Sequence, residues 1–306
     1  MIAALLVLLS SVDVHAAHRK VVTDDGAALA LYSFTPSGRT ERPVLLIADV
    51  GFGRRLFDRG GDDLVHYLVE HGHRVFVAEL RGQGAADAGH SLRTTLSLDL
   101  PAIARALAKE TDQPVDLVAH GYFGALALAA TTRELNVRKV VAINTPVLAE
   151  EPTKLLRQFL ADGGRFSTLS ASPEGHATFQ ALFAMGSRAD ARTVAAMGSL
   201  ATRDLNPALS TELLAWMDSG DVPFDDGTTL VGRLRAYDRP TLLMLGIADA
   251  FAPSEACTPL RELSKGPVTP RLFSRLAQGD DYAHVSFFMG DWARRQIYPE
   301  IEEFLR

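Results

Sequence analysis

The stretch "DLVAHGYFGALALAA", residues 116–130, decides the fold of this chain. Its first part is a short apolar run typical of a buried strand, and its second part is rich in alanine and leucine, which favour a helix. Only a very tight turn can join the two, because no linker separates them. A strand that runs directly into a helix is characteristic of α/β proteins, and here the turn holds Gly121.

Similar apolar runs occur on both sides of this stretch. Strands are predicted in "PVLLIAD" (43–49), "HRVFVAEL" (73–80), "VDLVA" (115–119), "VRKVVAIN" (137–144) and "RPTLLMLG" (239–246), and helices over 61–71, 98–110 and 124–133. Residues 19–36 predict a β-hairpin with Asp25-Gly26 at its turn. Strands and helices in alternation predict an α/β fold with a mostly parallel sheet wrapped by helices.

The alternation stops after residues 144–147 and resumes near residue 239. The segment 148–235 is helical and loop-like, which predicts an inserted helical cap over the carboxyl ends of the strands, where ligands of open α/β sheets bind. The predicted organisation is an N-terminal apolar segment (1–18), a first part of the core (19–147), the cap (148–235) and a second part of the core (236–306).

Composition narrows the function classes. The 306 residues carry a formal net charge of -6, so the chain lacks the basic field that nucleic acid would require. The hydrophobic fraction of 47% supports a sizeable core. A single cysteine, Cys257, excludes an internal disulfide, and no Cys/His cluster has zinc-site spacing. A small apolar or acyl-like ligand is the expected partner, with no cofactor or metal. Oligomeric state is left open.

The first residues, "MIAALLVLLSSVDVHAAHRK", leave two interpretations open. The apolar run and "VHA" before Ala17 resemble a signal peptide, whereas the absence of Lys or Arg before the run favours an N-terminal helix packed on the domain and a cytoplasmic location. The run is too short to span a bilayer as a helix.

Four features, in this order, resemble the α/β-hydrolase family, particularly its lipase-like, esterase-like and acyltransferase-like members, over nearly the whole chain from about Arg19. "LLIADVGFG" (45–53) is similar to the strand and loop that supply one oxyanion-hole N–H, which implies this role for the Phe52 backbone. "ELRGQGAAD" (79–87) is similar to the family's D-x-R-G-x-G-x-S turn, although Glu79 and Ala86 depart from it.

The third feature is the turn quoted above, where the family has its G-x-S-x-G nucleophile motif. This chain has Ala119-His120-Gly121-Tyr122-Phe123, so a glycine replaces the nucleophile. The resemblance implies that the Tyr122 backbone is the second oxyanion donor. Phe123 also departs from the family's small residue. A serine restored at residue 121 is expected to find a base and an oxyanion hole in place.

The fourth feature is a C-terminal pair of loops. "LLMLGIADAFAPSEAC" resembles the loop that carries the catalytic acid, which implies Asp249, and "GDDYAHVSFFMGDWARRQIYPEIEEFL" resembles the loop that carries the base, which implies His284. Acid before histidine, both after the nucleophile turn, is the family's chain order.

Two other motifs compete with this interpretation. Ser91 in "GHSLR" stands where half a nucleophile motif would place it, but it follows a loop and Arg93 replaces the last glycine, so an ordinary loop residue is expected. "DVGFGRRL" approaches a dinucleotide fingerprint, with Glu79 as the ribose-binding acid, yet Leu56 stands in the place of its third glycine.

Three functions follow for testing. The first is an α/β-hydrolase-fold protein without serine-type activity that binds an acyl-like ligand, since glycine offers no attacking atom. The second is an active hydrolase or lyase in which His284, held by Asp249, activates water in the vacated space or abstracts a proton. The remote third is a Rossmann-like NAD(P)-dependent oxidoreductase.

Overall fold

A computed structural model of the chain describes residues 14–38, 42–87, 91–148, 154–169, 172–184 and 203–306. Its strands are β1 Val14–Val22, β2 Ala28–Pro36, β3 Pro43–Ile47, β4 Arg74–Glu79, β5 Val115–His120, β6 Val137–Ile143, β7 Thr241–Gly246 and β8 Val268–Phe273. Residues 1–13, which hold the apolar run, lie outside the described part, whereas residues 14–18 belong to β1 and not to a helix.

The strands form one sheet in the order β1-β2-β4-β3-β5-β6-β7-β8. The β1–β2 and β2–β4 pairs are antiparallel, and the pairs from β4 to β8 are parallel. Every residue of β3, β5 and β7 is buried, because helices cover both faces of the parallel part. The predicted α/β class with a mostly parallel sheet is confirmed.

Helices pack on both sides of the sheet. They are α1 Leu64–Glu70, α2 Leu92–Thr94, α3 Leu100–Leu107, α4 Gly121–Ala130, α5 Lys154–Ala161, α6 Phe166–Leu169, α7 Pro173–Phe179, α8 Pro207–Ser219, α9 Leu230–Leu234, α10 Ser254–Cys257, α11 Leu260–Leu263, α12 Arg275–Gln278, α13 Gly290–Trp292 and α14 Tyr298–Leu305. Short 3₁₀ turns occur at Arg54–Leu56 and Ser286–Phe288, and π-helical turns at Thr95–Asp99, Gln180–Ala184 and Ala293–Ile297.

Helix α4 is buried along its whole length, in keeping with its alanine- and leucine-rich sequence. It follows β5 without an intervening residue, as the opening stretch predicts. The segment between β6 and β7 is helical where it is described, from α5 to α9. Of the helices in the described ranges, none combines the length and the apolarity that a membrane span requires.

Strand register decides which residues meet at the carboxyl edge of the sheet. Ile47 on β3 pairs with Ala119 on the parallel strand β5. Asp49 lies two residues after Ile47, and Gly121 lies two residues after Ala119. The two residues therefore face one another past the ends of β3 and β5. This juxtaposition is the centre of the candidate site.

Candidate active site

Gly121 has a φ of +62°, in the left-handed region that glycine adopts without a Cβ penalty. A Cβ built on this residue would overlap the Asp49 carboxylate, and even the Asp49 Cβ would lie only 2.5 Å from it. The Asp49 side chain therefore occupies the position of the absent nucleophile side chain. The space beside Gly121, which the sequence predicts to be vacated and open to water, is filled.

The two carboxylate oxygens of Asp49 have different surroundings. Oδ1 accepts hydrogen bonds from the backbone N–H groups of Val50 (2.7 Å) and Phe123 (3.1 Å). Oδ2 lies 3.0 Å from Nε2 of His284 in a fully buried ion-pair contact. These two atoms are close but are not aligned for a hydrogen bond. Neither atom has a hydrogen-bond partner among the described residues.

Asp249 orients the imidazole of His284 from the opposite side. Its Oδ2 lies 2.8 Å from Nδ1 of His284, and its Oδ1 accepts hydrogen bonds from the backbone N–H groups of Phe251 and Ala252, both at 2.8 Å. The carboxylate is thereby fixed at the end of β7, in the loop where sequence analysis places it. The structure brings Gly121, Asp249 and His284 together, and adds Asp49 to them.

The ionisable groups of this centre change one another's proton affinity. Burial disfavours the charged imidazole, but the carboxylates of Asp249 and Asp49 outweigh burial and raise the pKa of His284 to about 9. Burial also raises the pKa of Asp49, against the opposing effect of His284. The three side chains together hold a proton that an isolated histidine would release near neutral pH.

His120 is a second buried histidine beside the first. Its ring centroid is 4.2 Å from that of His284, and its Nε2 lies 3.0 Å from the His284 backbone oxygen. Burial, followed by the charge of His284, holds the pKa of His120 well below its usual value. His120 is therefore neutral, and Nε2–H donates to that oxygen because a carbonyl only accepts. No role for His120 is predicted from the sequence, since nothing in its spacing identifies the contact.

The backbone groups predicted for the oxyanion hole lie next to the centre. The N–H of Phe52 donates to the Asp49 carbonyl oxygen at 3.1 Å, so it is already engaged. Tyr122 lies in the first turn of α4, and its hydroxyl donates to the Phe251 carbonyl at 3.0 Å. The two backbone N–H groups that donate to a carboxylate oxygen, Oδ1 of Asp49, are instead those of Val50 and Phe123. The oxyanion role of the Tyr122 backbone stays a prediction.

Phenylalanine side chains enclose the centre. Phe52, Phe183 and Phe251 have ring centroids 5.9, 5.9 and 5.0 Å from that of His284, and Phe166 packs on Phe52 at 5.4 Å. Phe166 and Phe183 come from the helical segment between β6 and β7. We call these four residues the aromatic roof. An apolar lining suits an apolar ligand and strengthens electrostatic interactions within the site.

Phe123 departs from the small residue of the family motif, yet the close packing of helix on strand is kept by its neighbour. A Cβ on Gly124 would lie 3.0 Å from the Ala119 carbonyl carbon and 3.1 Å from Oγ1 of Thr145. Gly124 therefore permits α4 to approach β5. Phe123 is fully buried in the core, while its N–H binds Asp49.

The competing motifs have structural roles. Ser91 is the N-cap of α2, where its Oγ accepts a hydrogen bond from the Thr94 N–H at 3.1 Å, as expected of a residue outside the catalytic centre. Glu79 is buried, and its carboxylate accepts from the N–H groups of Arg54 and Ala85, both at 2.8 Å. A single 3₁₀ turn, Arg54–Leu56, follows the glycines of the fingerprint, so no long helix starts there to bind a pyrophosphate.

One group of side chains has the composition of a cation site. Asp58, Asp63 and His66 offer ligand atoms within 4.8 Å of one another. Asp58 pairs with Arg54, however, and Asp63 caps α1 by accepting from the His66 N–H at 3.0 Å. These contacts account for the cluster without an ion.

Known structures share the arrangement of strands and helices described above. An esterase from Exiguobacterium antarcticum superimposes with a TM-score of 0.69 at 18% identity, over 94% of this chain and 98% of that one. A bromoperoxidase from Bacillus anthracis gives 0.68 at 17% identity (94% and 99%), and the enol-lactonase from Burkholderia xenovorans LB400 gives 0.67 at 13% identity (94% and 99%). This chain has the α/β-hydrolase fold. A scan against protein-family models finds no match, and a search of curated proteins finds none either.

Proposed function

We propose that this protein is a hydrolase of small apolar molecules whose chemistry depends on Asp49, His284 and Asp249, and not on a serine or cysteine. The observation that carries the proposal is the Asp49 carboxylate in the nucleophile position, 3.0 Å from an imidazole that Asp249 holds at 2.8 Å. Neighbours with esterase and lactonase activities in their names support a hydrolytic reaction.

The cost of burying this centre supports a catalytic role. Asp49 and His284 are fully buried and Asp249 is 5% exposed. Carboxylates and imidazolium ions lose much solvation free energy on burial, and apolar side chains would fill the same volume without that loss. Buried ionisable groups with strongly perturbed pKa values are typical of catalytic sites.

The serine and cysteine candidates for a nucleophile in this chain have other placements. Gly121 has no side chain, and Ser91 caps a helix. Cys257 is buried, and burial together with the charge of Asp249 raises the pKa of its thiol well above the usual value, so the reactive thiolate does not form near neutral pH. These placements favour a reaction without a serine or cysteine ester.

A second candidate is the binding of an acyl-like ligand without turnover. The aromatic roof favours it, because it closes the centre off from solvent and offers an apolar surface to such a ligand. The two candidates differ in whether a buried histidine is needed for product formation, and this difference can be measured.

The test compares His284→Gln and Asp249→Asn with the parent and with His176→Gln, a matched change at an exposed histidine. Hydrolysis of p-nitrophenyl butyrate and of 1-bromobutane is followed by acid release with a pH indicator, and a fluorophosphonate probe reports any activated serine. We expect no probe labelling, and an activity on at least one substrate that falls about 10²-fold or more in His284→Gln and is unchanged in His176→Gln. Activity that survives in both glutamine variants would reject the proposal, and binding without any turnover would favour the second candidate.

A further inference from the structure

A depression in one face of the sheet lies away from the candidate active site, beside Arg74 at the amino end of β4. Its volume is about 320 Å³, whereas one water molecule occupies about 30 Å³ in the liquid, so it has room for a small polyatomic ligand. We call it the β1–β2 depression. Its lining comes from β1, β2, the start of β4 and the turn after α3, and includes Ala17, Arg19, Ser33, Thr35, Arg74 and Glu110.

Short side chains in neighbouring strands create this depression. Ala17 on β1 pairs with Ser33 on β2, and Ser33 in turn pairs with Phe76 on β4. Paired residues lie on the same face of a sheet, so the two short side chains stand side by side. Ala17 is exposed and Ser33 is half-buried, which shows that none of the described helices covers this part of the face.

Two arginines share one carboxylate at the wall of the depression. Arg74 donates from Nη1 to the Glu110 backbone oxygen at 2.8 Å and from Nη2 to Oε2 of Glu110 at 2.7 Å, and Arg19 pairs with Oε1. Among the described residues that line the depression, Glu110 is the only acid. The two guanidinium groups therefore leave an excess of positive charge at this place, in a chain whose formal net charge is -6.

The lining also has more hydrogen-bond donors than acceptors. The side chain of Arg19 is 52% exposed, so its guanidinium is accessible to a ligand. The half-buried hydroxyl groups of Ser33 and Thr35 have no hydrogen-bond partner within the described ranges, and they can donate as well. The Glu110 carboxylate already accepts from both arginines. An anion with several acceptor oxygens fits this combination of charge and donors.

We propose that the β1–β2 depression binds a phosphate group, either free or on a small organic monoester. Arg19 binds its oxygens through the planar guanidinium group, Ser33 and Thr35 donate from the floor, and Arg74 contributes positive charge from the wall. A phosphate group has at least three strong acceptor oxygens in a tetrahedral arrangement, which suits donors that come from two strands. A carboxylate has only two oxygens in one plane.

Binding is tested on the full chain by calorimetry with sodium phosphate and with glycerol 3-phosphate, against sodium chloride at the same ionic strength. We expect one phosphate site per chain, and saturable shifts of the Ser33 and Thr35 amide resonances in NMR spectra. Equal affinity for the two compounds would identify free phosphate as the ligand, and tighter binding of glycerol 3-phosphate would identify an organic monoester. Neither compound binding beyond the chloride control would overturn the proposal.

Three variants test the assignment of residues. Arg19→Gln should weaken phosphate binding about tenfold or more, because it removes a charged donor. Arg105→Gln is the matched control and should leave the affinity unchanged, since Arg105 is 50% exposed and pairs with Asp24 at 2.7 Å on the surface. Glu110→Gln should tighten binding, because it removes the only negative charge of the described lining.

Equal losses in Arg19→Gln and Arg105→Gln, or weaker binding in Glu110→Gln, would reject the site. The site is separate from the proposed hydrolase function. His284→Gln should therefore bind phosphate as the parent does, even where it has lost all hydrolysis.

Discussion

The Asp49 side chain and a side chain at residue 121 exclude one another. A Cβ at residue 121 would overlap the carboxylate and would lie 2.5 Å from the Asp49 Cβ. The two residues follow the neighbouring parallel strands β3 and β5, whose register places them at the same level, two residues past Ile47 and Ala119. The glycine therefore makes room for a carboxylate, and the charge next to His284 comes from the loop after β3.

This exclusion reverses the expectation that serine at residue 121 restores an esterase. We predict that Gly121→Ser is less stable than the parent by two effects. Backbone strain at positive φ costs about 1–3 kcal/mol, and the overlap with Asp49 adds about 1–3 kcal/mol. No p-nitrophenyl butyrate activity should be gained. Urea unfolding and initial rates measure both outcomes.

Gly220→Ser is the matched control for strain alone. Gly220 also has a positive φ, +81°, but a Cβ there would meet nothing within 4 Å. The double variant Gly121→Ser/Asp49→Gly should recover part of the stability and gain ester cleavage. Gly121→Ser/Asp49→Ala should recover less, because the alanine Cβ is still too close. Equal losses in Gly121→Ser and Gly220→Ser would contradict the overlap.

Asp49→Asn should shift the titration of His284. In the parent the pKa is about 9, and a neutral amide at residue 49 removes one of the two raising charges, so the pKa should fall. NMR titration of the imidazole resonances, assigned with His284→Gln, measures the change, and His120 should stay neutral in both proteins. A His284 that titrates equally in parent and variant would mean that Asp49 does not interact with it.

The same shift has a consequence for stability. Because the folded pKa of His284 is raised above the usual 6.5, its ion pairs stabilise the fold fully below about pH 6.5, and this stabilisation is lost as the pH rises through about 9. The pH dependence in this window should be smaller in Asp49→Asn than in the parent. Unfolding midpoints at pH 6 and pH 9.5 measure the difference.

The sequence is sufficient to predict the fold class and the main strands, because fully buried parallel strands appear as continuous apolar runs. Strand β8 is missed for a physical reason: it is an exposed edge strand, and its sequence "VTPRLF" contains Pro270 and Arg271. An edge position tolerates proline, since one side of the strand needs no ladder hydrogen bonds.

The candidate site is predicted in part. Asp249 and His284 are found because each follows a loop pattern in a known chain order. Asp49 is missed, although it directly follows the apolar run of β3, because its contact with Gly121 depends on the register between β3 and β5, whose paired residues Ile47 and Ala119 are 72 positions apart in sequence. Sequence periodicity assigns strands but not their partners, so a side chain supplied across the sheet is not apparent.

Arg81, in the loop after β4, has a structural role. Its side chain pairs with the fully buried Asp99 at 2.7 Å and with Asp25 at 2.6 Å, which holds the pKa of Asp25 at about 2. Arg81→Ala leaves Asp99 as an unpaired buried carboxylate, and we expect a loss of about 3–5 kcal/mol in the free energy of unfolding. The loss should shrink in acid, where Asp99 is protonated.

Arg105→Ala is the control for this prediction, because Arg105 pairs with Asp24 at 2.7 Å on the surface. Exposed pairs of this kind contribute at most about 1 kcal/mol. Denaturant unfolding at pH 7 and pH 4.5 compares both variants with the parent. Similar small losses in the two variants would show that Asp99 is not held by Arg81.

The aromatic roof should determine the size of substrate that the centre accepts. Phe183 packs on Phe251 at 4.8 Å and on His284 at 5.9 Å, and truncation to alanine opens a cavity beside the reacting groups. We expect Phe183→Ala to cost about 3–5 kcal/mol of stability and to raise kcat/KM for p-nitrophenyl hexanoate relative to p-nitrophenyl butyrate. Phe76→Ala, in the fully buried middle of β4, should lose similar stability without changing this ratio. Steady-state rates on both esters, with urea midpoints for all three proteins, separate the two effects. A ratio that changes equally in both variants would place substrate selection outside the roof, whereas a change confined to Phe183→Ala would mean that the ligand lies between His284 and the helical segment that supplies Phe183.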